Sequence, residues 1–198
     1  MRWSRKVKNP GTYKFHQQLE TGFFEKFQNT TRIVIAGTQC RKEAAQLFLH
    51  TIRFAGNSIE HYTSFSEKSG GEDFVLFEAQ DSNLQDYHPN IVLVTGISDH
   101  QLYETFLKTI VAGGIVIYNE DDKNLTEIIE NAENYFRKIP YKTPDFYKSN
   151  GKNFLNTDIG EIPVNISGEN LSYTEGVKHL SQQLGIMEEA FYEALMSF

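Results

Sequence analysis

Apolar positions along this chain follow two rhythms. Between residues 13 and 27, Phe15, Leu19, Phe23 and Phe27 recur every four positions, the spacing of one helix face, which Gly22 weakens. Beyond that point short β-branched runs alternate with longer stretches of helical period. Residues 32–37 (RIVIAG) read as a buried strand closed by glycine. Residues 42–54 follow as a helix whose apolar side is Ala45, Leu47, Phe48, Leu49 and Ile52, stopped at Gly56-Asn57. Residues 64–71 are polar and glycine-bearing and read as a loop.

The alternation continues with strands at 74–77, 91–94 and 115–118, and helices at 100–111 and 125–136. Strands separated by helices predict an α/β fold, a mostly parallel sheet of about six strands covered on both faces. After Pro140 the pattern changes. Residues 154–166 read as two strands turned at Asp158-Ile159-Gly160, a hairpin expected at the sheet edge. Helices at 171–184 and 188–196 complete the reading. Residues 1–29 form a basic leader with the amphipathic helix, and 30–198 a single α/β domain.

Composition narrows the function classes. Hydrophobic residues make up 39% of 198, enough for a packed core and against disorder as the main state. Nineteen Lys and Arg against 26 Asp and Glu leave a net charge of -7, so no general attraction to nucleic acid or to a membrane surface is expected. The single cysteine excludes an internal disulfide framework and a cysteine-based zinc cluster. No apolar run approaches the ~20 residues that span a bilayer. The leader with Arg2, Arg5, Lys6 and Lys8 has no apolar stretch behind it, unlike a secretory signal. A cytoplasmic protein is the expectation.

In a parallel α/β sheet, ligands sit beyond the C-terminal ends of the strands. Three loops lie there: Gly37-Thr38-Gln39-Cys40-Arg41-Lys42-Glu43, Glu78-Ala79-Gln80-Asp81, and Thr95-Gly96-Ile97-Ser98-Asp99-His100. A carboxylate and an imidazole at neighbouring strand ends, Glu78 and His100, are of the types that ligate a metal ion. The plainer reading pairs Glu78 with Arg41 or Lys42 and starts a helix at His100. Cys40 between a helix N-terminus and two cations has the surroundings that lower a thiol pKa. The histidines His16, His50, His61, His88 and His179 show no metal-ligand spacing.

Taken in order, these loops resemble the central, ATP-binding domain of the Mur ligases, which add amino acids or peptides to UDP-N-acetylmuramate. The nearest branch is that of the muramate–alanine and murein-peptide ligases. The stretch from Thr31 to Thr38 is similar to the strand entering that family's phosphate loop, Gly-Thr-x-Gly-Lys-Thr/Ser. Phe77-Glu78-Ala79-Gln80-Asp81 resembles its Glu-Ala/Gly-Asp-Glu stretch. His88 to Gly96 with Asp99-His100, and Gly160 to Pro163, Gly168 to Leu171 and Gln183 to Ile186, resemble later landmarks. The similarity covers roughly residues 30–198 and takes in neither the UDP-sugar domain nor the amino-acid-binding domain.

The resemblance implies a P-loop NTPase-like fold, with ATP and Mg²⁺ as cofactors if the ligase activity is kept. It places Gly37, Thr38, Cys40, Arg41 and Lys42 on the phosphate loop, Asn170 beside adenine, and Glu78 and His100 at the metal. The departures bear on that activity. Cys40 stands at the second glycine, Arg41 at the lysine and Lys42 at the metal-binding hydroxyl, while Glu43 brings a carboxylate to the first helical turn, where triphosphate would dock. Gln80 and Asp81 replace an acidic pair, and Tyr173 replaces the second asparagine of the adenine motif. The expectation is a degenerate Mur-ligase central domain, catalytically inactive, serving as a binding or interaction module linked to peptidoglycan precursors. Its partners would be a second copy or a cell-wall ligase. The alternative is an ATP-dependent carboxylate–amine ligase, or its nucleotide-binding piece, completed by partner chains.

Overall fold

The computed structural model of the protein describes residues 27, 29–62, 73–79 and 81–198, the side chains of Glu169 and Asn170 excepted. The 13–26 part of the expected amphipathic helix, the 64–71 loop, Gln80 and the Asn170 side chain lie outside that set. Six parallel strands form the main sheet in the order β2-β3-β1-β4-β5-β6. They are β1 (Thr31–Ala36), β2 (Glu60–Tyr62), β3 (Phe74–Glu78), β4 (Ile91–Val94), β5 (Gly114–Asn119) and β6 (Phe136–Tyr141).

The period of two along β1 divides the core. Ile33 and Ile35 face a layer made by α1 (Arg41–Phe54), α4 (Thr174–Gln183) and α5 (Glu188–Ser197), through Ala44, Leu47, Phe48, Val177, Leu180, Phe191 and Leu195. Val34 and Ala36 face the opposite layer, α2 (His100–Leu107) and α3 (Lys123–Glu130), through Tyr103, Phe106, Leu125 and Ile128. Both faces of β1 are therefore dry, as its unbroken β-branched run requires. Phe27 is buried in the second layer, edge-on to Tyr62 and Phe77 at 5.6 and 5.5 Å.

Four expectations are corrected. The 154–166 hairpin exists as β8 (Lys152–Thr157) and β9 (Gly160–Val164), but it does not extend the main sheet. It pairs with β7 (Phe146–Ser149) in a separate three-stranded antiparallel sheet, while β6 takes the edge position. The 125–136 helix ends at Glu130, and the 100–111 helix at Leu107. One residue links these shortenings: Asn134 Nδ2 donates to Leu107 O and Ile110 O, at 3.0 and 2.8 Å, meeting carbonyls left at the end of α2. The helix expected over 171–184 begins at Thr174, after a 3₁₀ turn over Gly168–Tyr173.

α4 and α5 are tied through Lys178, whose Nζ lies 2.7 Å from Glu175, 2.9 Å from Glu188 and 3.0 Å from the Tyr192 hydroxyl. Burial alone would lower this ammonium's pKa, but the hydrogen bonds outweigh it and hold it above its ordinary value. Among the described residues, no helix is long and apolar enough to cross a membrane.

Candidate functional site

The first loop begins where β1 ends. Gly37 has φ 138°, and an added Cβ would press on Thr95 Oγ1 and lie 2.9 Å from Gly96 O and Thr95 N. Only glycine lets the β1 exit pass this close to the β4 exit. Thr38 and Gln39 then run exposed over the top of the sheet.

Cys40 is the N-cap of α1 and is left-handed, φ 51° and ψ 19°; its carbonyl accepts from Ala44 N at 2.8 Å. This is the turn in which successive backbone N–H groups form a phosphate cradle. A side chain there costs roughly 1–2 kcal/mol, which glycine would not. Burial pushes the Cys40 thiol pKa up, and the Glu43 carboxylate adds to the rise. The lowering that Arg41 and Lys42 suggested in the sequence is therefore not what this thiol meets.

Arg41 reaches back across the loop. Its Nη1 donates to Ala79 O at 2.8 Å and, more weakly, to Gly37 O at 3.4 Å, while its Nε is buried without a hydrogen-bond partner. The guanidinium thus ties the loop to the end of β3. Lys42 and Glu43 stand exposed on the first turn of α1. The side chain that enters the loop is a cation of the loop itself, not the expected Glu43 carboxylate.

Glu78 ends β3 with a side chain only 11% exposed, and its Oε1 is 2.7 Å from His61 Nε2. The expected pairing with Arg41 or Lys42 is corrected: Arg41 takes the neighbouring backbone carbonyl. Parallel pairing sets His61 opposite Leu76, so His61 and Glu78, two residues further along, project to the same face as diagonal neighbours. His100 is the first residue of α2, as expected. Its Nδ1 lies 3.4 Å from Glu104 Oε1, one turn on, and both side chains are half exposed.

The other acids at the strand ends are also engaged. Asp81 accepts from Ser98 Oγ and from the Tyr103 hydroxyl, the latter at 3.3 Å. Asp99 caps α2 by accepting from Leu102 N at 2.9 Å. Beyond β5, Asp122 caps α3, Asp121 accepts from Thr143 N, and Glu120 pairs with Lys142.

The implied metal does not fit these residues. A magnesium ion is held by carboxylate, hydroxyl, phosphate and water oxygens. Here position 42 offers an ammonium, Glu78 is held by His61, and Asp81 by two hydroxyls. Among the described residues no three of His, Cys, Asp and Glu are grouped to hold a metal ion.

On the adenine side Tyr173 is 2% exposed and belongs to the core with Tyr141. Both phenols are held above their ordinary pKa, chiefly by burial and then by Cys40, with Glu43 adding for Tyr173 and Glu175 and Asp121 for Tyr141. Sequence reasoning missed Tyr141, His61 and Tyr103 as neighbours of the loops. The one available signal was that strand ends converge, and it does not say which side chains meet.

No protein-family profile and no curated protein sequence matches this chain. Solved structures do. The UDP-N-acetylmuramate:L-alanyl-gamma-D-glutamyl-meso-diaminopimelate ligase (MPL) from Neisseria meningitides superposes at TM-score 0.69 and 12% identity, over 89% of this chain and 68% of that one. The murein peptide ligase from Psychrobacter arcticus gives TM-score 0.65 at 12% identity, over 89% and 48%. MurF from Acinetobacter baumannii gives 0.71 at 12% identity, over 88% and 47%. An FPGS–AMPPCP complex gives 0.60 at 11% identity, over 88% of this chain and 65% of that one. The fold is that of a Mur-ligase-like central domain, and the chain spans about half the length of two of these ligases.

Proposed function

We propose that this chain is a Mur-ligase-like domain that does not hydrolyse ATP and acts as a binding module in peptidoglycan-precursor metabolism. The observation that carries this reading is the Arg41 guanidinium, hydrogen-bonded to Ala79 O and Gly37 O inside the loop. Lys42 at the place of the metal-binding hydroxyl and Glu78 on His61 support it. Fold alone does not transfer an activity, so the site decides. The expected result is no phosphate release from ATP with Mg²⁺, UDP-N-acetylmuramate and an amino acid or peptide. Turnover in that assay contradicts the reading.

The second reading is an ATP-dependent ligase completed by partner chains. The fold it shares with solved ligases favours it. Under it, a second copy or a cell-wall ligase co-purifies with this chain and phosphate release appears only in the mixture.

A further inference from the structure

We infer that His61 is the specificity-determining residue that keeps divalent cations off the loop, by holding the Glu78 carboxylate. This rests on the reading of the site as magnesium-free. Glu78 is nearly buried, one residue before the carbonyl that takes Arg41. A carboxylate so placed has few waters and needs a partner within the protein. The 2.7 Å bond to His61 Nε2 supplies it and occupies the oxygen a cation would share.

The remaining acids at the ends of β3 and β4 cannot take over. Asp81 is bound by Ser98 and Tyr103, and Asp99 closes the first turn of α2. Among the acids at the ends of β3 and β4, Glu78 is thus the carboxylate on which cation binding turns, and His61 sets whether it is available. Arg41 then does electrostatically, in tying the loop to β3, what an ion would do. Any phosphate-bearing ligand of this loop binds without a divalent cation.

The test uses the full chain with Mn²⁺ as the probe, read by electron paramagnetic resonance. His61→Ala tightens Mn²⁺ binding by about tenfold or more over the unchanged protein, because the cation no longer competes with a short hydrogen bond to the carboxylate. His61→Gln, which keeps a donor toward Glu78, gives no such gain. Adding Glu78→Gln to His61→Ala removes it. Should alanine unfold β2, as circular dichroism would report, His61→Val keeps strand propensity and serves the same purpose. No gain, a gain that survives Glu78→Gln, or equally tight binding by the unchanged protein overturns the inference. Absence of a gain in a protein that also fails to turn over ATP sinks this inference alone; turnover by the unchanged protein sinks the proposed function instead.

Discussion

Alanine at Gly37 is expected to destabilise the protein by roughly 3–5 kcal/mol, adding backbone strain to an overpacked contact. At φ 138° an L-residue is strained whatever the space around it, and here the space is taken by Thr95 Oγ1, Thr95 N and Gly96 O. Two of these are backbone atoms of the β4 exit and cannot turn aside. Thr95 N is itself bonded to Ala36 O at 2.8 Å, so yielding at Thr95 would break the join between two central strands. Gly151→Ala is the control, because Gly151 has φ 78° with nothing within 4 Å of an added Cβ. It should cost about 1 kcal/mol, strain alone. Urea unfolding of both variants checks this, and equal costs would show that the loop is not held against β4.

Rewriting the loop as Cys40→Gly, Arg41→Lys and Lys42→Thr is expected to create nucleotide binding. Glycine relieves the left-handed strain at position 40, about 1 kcal/mol in favour of the fold. Lysine removes the planar fork that holds Ala79 O and places a point charge where the β- and γ-phosphates would lie. Threonine replaces an ammonium with a hydroxyl able to face a metal ion. Together these should tighten ATP binding at least about tenfold, roughly 1.4 kcal/mol. Adding His61→Ala should make that binding depend on Mg²⁺. Calorimetry on the triple and quadruple variants checks both steps. A triple variant no better than the unchanged chain would mean the three substitutions are not what closes the loop.

The layered sheet was legible because β1, β3, β4 and β5 are buried on both faces and show it as unbroken apolar runs. β2, β6 and β7 escaped notice for the opposite reason. β2 has three residues, one of them buried; β6 carries Arg137, Lys138 and Pro140; β7 has no buried residue. Such edge strands lack the period that identifies a strand. The hairpin turn at Asp158-Ile159 was read correctly, but its partner was not, because pairing is a tertiary choice between β7 and the main-sheet edge.

At the site, a loop after β1 was legible from the strand that closes at Gly37, and the left-handed turn at Cys40 from the resemblance of this stretch to a phosphate loop. What each charge would touch was not. Arg41 meets a carbonyl 38 residues away, and Glu78 an imidazole 17 residues away, both brought in by parallel pairing that no local pattern records. The thiol reading failed for a related reason. Sequence places two cations beside Cys40, but Arg41 turns away to β3, leaving burial and Glu43 to raise the pKa.

The most direct measurement is a calorimetric titration of the unchanged chain with ATP, once with Mg²⁺ and once with a chelator. If Arg41, Lys42 and His61 close this loop to a metal–triphosphate, the two titrations coincide and neither shows saturable binding that requires the ion. Micromolar binding that appears only with Mg²⁺ would contradict the account.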